Sequence, residues 1–211
     1  MQLKSFGCSF VFGSDLRDTG THATPSQLTW PALLARQLGH EYACHACPGV
    51  GNLYILEQLL NELTSNDPAV YVVNWTWIDR FDYTEHDNSW ASLRPGDDNS
   101  TARFYYKNLH SQYRDKLTTL SLIKLAIDAL LQKKQSFIMT YMDDLIFETQ
   151  WHTSPAIASM QEYVQPYLRN FDGLNFLAWA QHNNFEISPT LHPLEAAHSA
   201  AANLILNQSL V

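Results

Sequence analysis

The sequence predicts a three-layer α/β/α sandwich built on a parallel sheet of about five strands. Three observations carry this. Short apolar runs alternate with amphipathic helical segments along the chain. The run "AVYVVNW", residues 69–75, is almost continuously β-branched or aromatic, as expected of a strand buried on both faces. Glycines and polar residues punctuate the ends of the runs, where a chain leaves a sheet and turns into a helix.

The elements follow in order. "LKSFG" is a short first strand ending at Gly7. "TWPALLARQLGH" is a helix with Pro31 in its first turn, Leu33, Leu34 and Leu38 on one face, and Gly39 as its stop. "HEYACHA" is the second strand. In "NLYILEQLLNELTSN", residues 52–66, Leu53, Leu56, Leu60 and Leu63 form a helical stripe with Ile55 and Leu59 beside it. "AVYVVNW" is the third strand. Residues 78–111 are polar, hold Pro95-Gly96 and several aromatics, and read as an irregular insertion. A long helix is expected from about Tyr113 to Lys133, with Leu117, Leu120, Leu125 and Leu131 among its apolar positions, and "SFIMTYM" is the fourth strand. Helices are then expected at "SMQEYVQPYLRNF" and "LNFLAWAQHN". "FEIS" is read as a short last strand, and "PLEAAHSAAANLILNQSL", residues 193–210, as the closing helix. No internal repeat or interdomain linker interrupts the pattern, so a single domain over 1–211 is expected.

Composition narrows the function classes. Of 211 residues, 45% are hydrophobic and 16% charged, which suits a packed core. The formal net charge of -8 leaves no basic face for a nucleic-acid partner. No apolar run reaches the ~20 residues of a membrane span, so no membrane partner is expected. The start, "MQLKSFGCSF", has too short an apolar core for a signal peptide, and the expected location is cytoplasmic. Cys44 and Cys47 form C-H-A-C near His40 and His45, but a second ligand pair is lacking, so buried, inert thiols are expected and no metal.

In a parallel α/β sheet, ligands bind beyond the carboxyl ends of the strands. Four stretches fall there: "GCSFVFG" after the first strand, "CPGVGN" after the second, "NWTW" after the third, and "LHPLEAAH" just before the closing helix. Together they resemble the motif blocks of the SGNH (GDSL-type) hydrolase family. The family's first block is G-D-S with a glycine four residues after the serine; here Cys8 replaces the aspartate, while Ser9 and Gly13 keep the spacing. Gly49 matches the glycine of the second block. In the third, G-x-N-D, Asn74 stands in the glycine position and Thr76 in that of the asparagine. In the fourth, D-x-x-H, His192 matches and Pro189 replaces the aspartate. "TWPALLARQLG" is also similar to the family's first helix.

The resemblance implies a flavodoxin-like strand order and a serine esterase or acyl hydrolase acting on a small O-acyl ester, with a carbohydrate ester as the favoured kind and no cofactor. Ser9 would be the nucleophile and His192 its base. The amides of Ser9 and Gly49, with Thr76 or Asn74 as side-chain donor, would form the oxyanion hole. Cys8, Ser9's neighbour in an extended segment, would point the other way and fill the core. Proline cannot orient His192. Asp143 or Asp144 after the fourth strand, Glu195, the Thr190 hydroxyl or a backbone carbonyl are the alternatives, with an uncharged oxygen favoured over the two aspartates. Asp15 and Asp18 read as turn formers, His198 as a partly exposed helix residue, and Arg80 and Asp82 as a local ion pair. The insertion aromatics read chiefly as packing, with Trp75 and Trp77 as a possible substrate wall. A non-catalytic binding module on the same fold is the main rival, favoured by the acids missing at positions 8 and 189. A mononucleotide binder ranks last, because the first loop offers no phosphate cradle.

Overall fold

The computed structural model describes residues 1–19, 24–65 and 67–208. Its five-stranded parallel sheet comprises β1 (Gln2–Phe6), β2 (Glu41–Cys44), β3 (Ala69–Trp75), β6 (Ser136–Tyr141) and β7 (Leu168–Arg169), in the order β2-β1-β3-β6-β7. This is the flavodoxin-like order that the resemblance implies. The chain reverses its direction of travel across the sheet between β1 and β3, which places the ligand crevice beyond their carboxyl ends. β3, every residue of it buried, pairs with β1 on one side and β6 on the other.

Helices cover both faces. α2 (Trp30–Gln37) and α8 (Glu195–Asn207) pack together on one side; α3 (Asn52–Glu62), α5 (Gln112–Gln132) and α6 (Pro155–Val164) form the other layer. Thr29 caps α2 by accepting a hydrogen bond from the Ala32 amide, and Gly39 follows its end at φ 68. In α5 the buried face is Leu120, Ile123, Ala126, Ile127 and Leu130; Leu125 and Leu131 lie exposed on the other side. Leu53 likewise faces outward from α3, whose buried stripe runs through Ile55, Leu56 and Leu59. Asn66 and residues 209 and 210, which the sequence reading included in two helices, lie outside the described residues.

Two expectations are corrected. "FEIS" is not a strand: Ile187 forms only an isolated bridge with Pro193. The fifth strand is instead Leu168–Arg169, inside the stretch expected to be helical. Pro166 explains the change. It has no amide hydrogen to continue the hydrogen-bond ladder of α6, and Gln165 before it, still helical in its dihedrals, is the cap of that helix. α6 therefore stops at Val164, and a 3₁₀ turn over Gln165–Tyr167 leads into β7.

Residues 78–111 are also more regular than expected. They contain an antiparallel hairpin, β4 (Phe81–Thr84) with β5 (Trp90–Leu93), followed by α4 (Ser100–Asn108). Phe81, Tyr83, Tyr105 and Tyr106 surround a small core of their own with Leu93 and Ala102. These insertion aromatics are packing groups. Arg80 and Asp82 do not pair: the Asp82 carboxylate accepts hydrogen bonds from the amides of Gly51 and Tyr54, at 2.7 and 2.9 Å, and so caps α3 from outside the helix. A Cβ on Gly51 would lie 2.7 Å from that carboxylate, so only glycine admits the cap. The hairpin is thereby fastened to the loop that carries Gly49.

Candidate active site

The opening motif is a one-turn helix. α1 (Ser9–Phe12) begins directly after Gly7-Cys8. A Cβ on Gly7 would approach Val11 Cγ2 to 2.7 Å and the Asn74 carbonyl oxygen to 3.1 Å, so the turn can sit this close to β3 only with glycine there. Gly13 ends the turn at φ 84, donating its amide to the Ser9 carbonyl at 2.9 Å. The four-residue spacing from Ser9 to Gly13 is therefore one helical turn and its left-handed cap. Cys8 is wholly buried. Ser9, as the first residue of the turn, has an amide with no intrahelical acceptor.

The last motif is a tight loop. Ser188 donates its amide to the His192 carbonyl at 2.8 Å, while Ser188 Oγ accepts the His192 amide at 3.1 Å. Leu191 takes a left-handed conformation, φ 67, to close the loop. The His192 ring rests on Phe10, with centroids 5.0 Å apart. Its Nε2 lies 2.8 Å from Ser9 Oγ, and its Nδ1 lies 2.8 Å from Asp15 Oδ2.

Asp15 is the residue that sequence reasoning missed. It sits just beyond the cap of α1 at φ 71, and three groups donate to Oδ2: Ser188 Oγ at 2.7 Å, Thr190 Oγ1 and His192 Nδ1. Burial opposes its ionisation. The hydrogen bonds from Thr190, Ser188 and His192 outweigh burial and lower the Asp15 pKa to about 2. An ionised carboxylate only accepts, so Nδ1 carries the proton and Nε2 is left to accept from the Ser9 hydroxyl. The order Asp15–His192–Ser9 has the geometry of an orienting carboxylate, a base and a hydroxyl that the base can deprotonate.

Asp143 and Asp144 do not orient His192. Asp143 accepts the amides of Ile78 and Leu145, both at 3.0 Å, and burial raises its pKa. Asp144 accepts from Asn175 Nδ2 at 3.1 Å. Both follow β6, which is separated from β1 by β3, so they emerge away from the crevice. Glu195 accepts the Arg17 amide. Of the alternatives weighed, the Thr190 hydroxyl does lie 3.0 Å from Nδ1, but beside a carboxylate and not in place of one.

The third block is also corrected. A cleft of about 510 Å³ is lined by Ser9, Asp15, Gly49, Trp77, Arg80 and His192, and also by Phe10, Arg94, Leu177 and Leu191. Asn74, Trp75 and Thr76 do not reach it. Asn74 donates Nδ2 to Thr140 Oγ1 across the β3–β6 pairing at 2.8 Å. Trp75 is core. Thr76 is held by Asn52 through its backbone, and its hydroxyl is buried without a hydrogen-bond partner. β3 stays buried through Trp75, so the chain first meets the crevice at Trp77, which packs edge-on against Phe10.

Three further sequence readings can be located. His198 is fully buried, not partly exposed: Nδ1 accepts the Trp30 amide at 3.0 Å, and burial lowers its pKa to about 3. Asp18 accepts from Ser26 Oγ and the Gln27 amide, so it orders a turn as expected. Cys44 and Cys47 are free thiols, both shifted upward in pKa by burial.

The fold is that of the SGNH hydrolases. A member of the lipolytic G-D-S-L family from Veillonella parvula is similar with a TM-score of 0.54 at 12% identity, over 99% of this chain and 97% of that one. An acetyl xylan esterase from the rumen bacterium Butyrivibrio proteoclasticus is similar at 0.57 and 16%, over 98% of this chain and 62% of that one. A psychrotrophic esterase from Pseudoalteromonas sp. gives 0.53 and 10%, over 98% and 94%. At the level of sequence, no family model and no curated protein matches.

Proposed function

We propose that the protein is a serine esterase that hydrolyses a small O-acyl ester. The observation that carries this reading is the unbroken chain from Asp15 through His192 to Ser9, with 2.8 Å at each link, opening onto one cleft. Ser9 Oγ adds to the acyl carbon as His192 Nε2 takes its proton. The ester C–O bond then breaks, and His192 returns the proton to the departing alcohol. Water, deprotonated by the same nitrogen, attacks the acyl carbon; the bond to Ser9 Oγ breaks, and His192 returns the proton to that oxygen as the acid leaves. Asp15 holds the ring and stabilises the imidazolium formed at each step.

The Ser9 amide and that of Gly49, on the facing wall, are the backbone donors assigned to the oxyanion. One such donor is typically worth about 3 kcal/mol in the transition state. The esterases that share the fold support ester chemistry. The acetyl xylan esterase among them favours an O-acylated sugar. The rival reading, a binding module, drew on the acids missing at positions 8 and 189; Asp15 supplies the acid from another loop. Turnover of 4-nitrophenyl acetate and of acetylated monosaccharides tests the proposal. The native protein hydrolyses at least one of them, Ser9→Ala falls to the uncatalysed rate, and Cys8→Ala keeps most of the activity. An inert native protein would return the account to the binding module.

A further inference from the structure

The cleft that holds Ser9 and His192 is also lined by two arginines, Arg80 and Arg94, in a chain of net charge -8. The two are held differently. Arg94 is clamped by Asp97, which accepts from its Nη2 at 2.9 Å and its Nε at 3.1 Å, so its charge is locally balanced. Arg80 donates Nη1 to the Val50 carbonyl at 2.8 Å and lies over the Trp77 ring, 4.7 Å from its centroid. These contacts fix the guanidinium; among the described residues no carboxylate pairs with it within 4.0 Å, and Asp79 and Asp97 act on it only at longer range. A guanidinium carries five N–H donors in a planar fork suited to an oxyanion. Among the described residues, the only carboxylate lining the cleft is Asp15, whose Oδ2 already receives three donors. Asp79 and Asp97 line an adjoining groove on the outer side of the same two arginines.

From this we infer that the ester substrate is anionic. Resting on the esterase reading, the proposal is that an oxyanion group, a carboxylate in the simplest case, on either half of the ester binds Arg80. Trp77 backs the guanidinium, while Arg94 stays paired with Asp97 beside Gly49. Arg80 is then a specificity-determining residue, and a neutral ester of the same shape is a poorer substrate.

Two matched pairs of esters test this. On the acyl side, 4-nitrophenyl butyrate is compared with mono-4-nitrophenyl succinate. On the alcohol side, an O-acetylated glucose is compared with the O-acetylated glucuronate. In at least one pair the anionic member has a kcat/KM about tenfold or more above its neutral partner. That ratio falls as salt is raised and collapses toward one in Arg80→Gln. Ratios of one or below in both pairs, or a preference that survives Arg80→Gln, would overturn the proposal. Binding separates it from the hydrolase reading. Ser9→Ala is titrated by NMR with succinate and with glucuronate, using glucose as the neutral control. Saturable binding of an acid that is lost on adding Arg80→Gln supports the anion site even if no ester is turned over; no binding of either acid counts against it.

Discussion

Asp15 and His192, 177 positions apart in sequence, meet at 2.8 Å, and the aspartate comes from the loop that follows Ser9 and not from the loop that carries the histidine. The histidine loop supplies Ser188 and Thr190 instead, and both donate to that same carboxylate oxygen. A D-x-x-H arrangement would carry the acid at position 189, in the histidine loop, where this chain has proline; here the acid is Asp15.

Asp15→Asn should lower kcat by about 10³–10⁴-fold, because an amide can stabilise the wrong imidazole tautomer and carries no charge to offset the imidazolium. Pro189→Asp, in an otherwise native chain, should bring no gain, since His192 Nδ1 is already occupied. In an Asp15→Ala background the same change should recover part of the loss. Steady-state kinetics of the four proteins check this, and a gain from Pro189→Asp alone would mean that Asp15 is not the orienting group.

Asp15 also sets a pH signature. Its folded pKa, about 2, lies below the ordinary 3.8. A depressed carboxylate contributes stability that is fully present above the unfolded value and is lost as pH falls through the folded one. The stability gap between the native protein and Asp15→Asn should therefore stay level from neutral pH down to about 3.8 and narrow below it. Urea melts across that range measure the gap. A gap that closes between pH 6 and 5 would contradict the ionised, hydrogen-bonded state described above.

Much of this architecture is legible in the sequence. "AVYVVNW" could be little other than a buried parallel strand, and the Thr29, Pro31 and Gly39 punctuation marks α2 at both ends. β7 is not legible, because two residues after Pro166 carry no periodicity. Ser9 and His192 could be read because their neighbours keep a fixed spacing. Asp15 could not, since an aspartate two residues after a glycine reads as a turn former, and its partners arrive from the far end of the chain. The oxyanion donors expected at Asn74 and Thr76 failed for a different reason: the family spacing sets them at the end of the third strand, but the chain stays buried through Thr76, so both side chains remain in the core.

Thr76→Val should therefore leave kcat within a few-fold of native. It should be neutral or stabilising by up to about 1 kcal/mol, because the buried hydroxyl it removes has no partner. Asn74→Ala strands the Thr140 hydroxyl and should cost about 1–3 kcal/mol of stability. Thermal melts and kinetics on the two variants check both statements. A hundredfold fall in kcat for Thr76→Val with unchanged stability would restore it as an oxyanion donor.

The cap of the turn that begins at Ser9 gives a prediction with an internal control. Gly13 and Gly39 both have left-handed backbones, at φ 84 and 68. A Cβ at Gly13 would lie 2.4 Å from Ser26 Cβ, whereas nothing lies within 4 Å of one at Gly39. Gly39→Ala should cost about 1 kcal/mol, the backbone penalty alone, and Gly13→Ala about 3 kcal/mol or more. Gly13→Ala should also reduce activity by displacing Ser9. Equal costs in denaturant melts would show that the turn is not packed as described.

The most direct test of the central claim is covalent labelling with a fluorophosphonate, followed by peptide mapping. A single adduct is expected on the peptide containing Ser9, absent in Ser9→Ala, retained in Cys8→Ala, and formed far more slowly in His192→Ala and Asp15→Ala. A protein that takes no label, or one labelled at another residue with Ser9 unmodified, would contradict that claim.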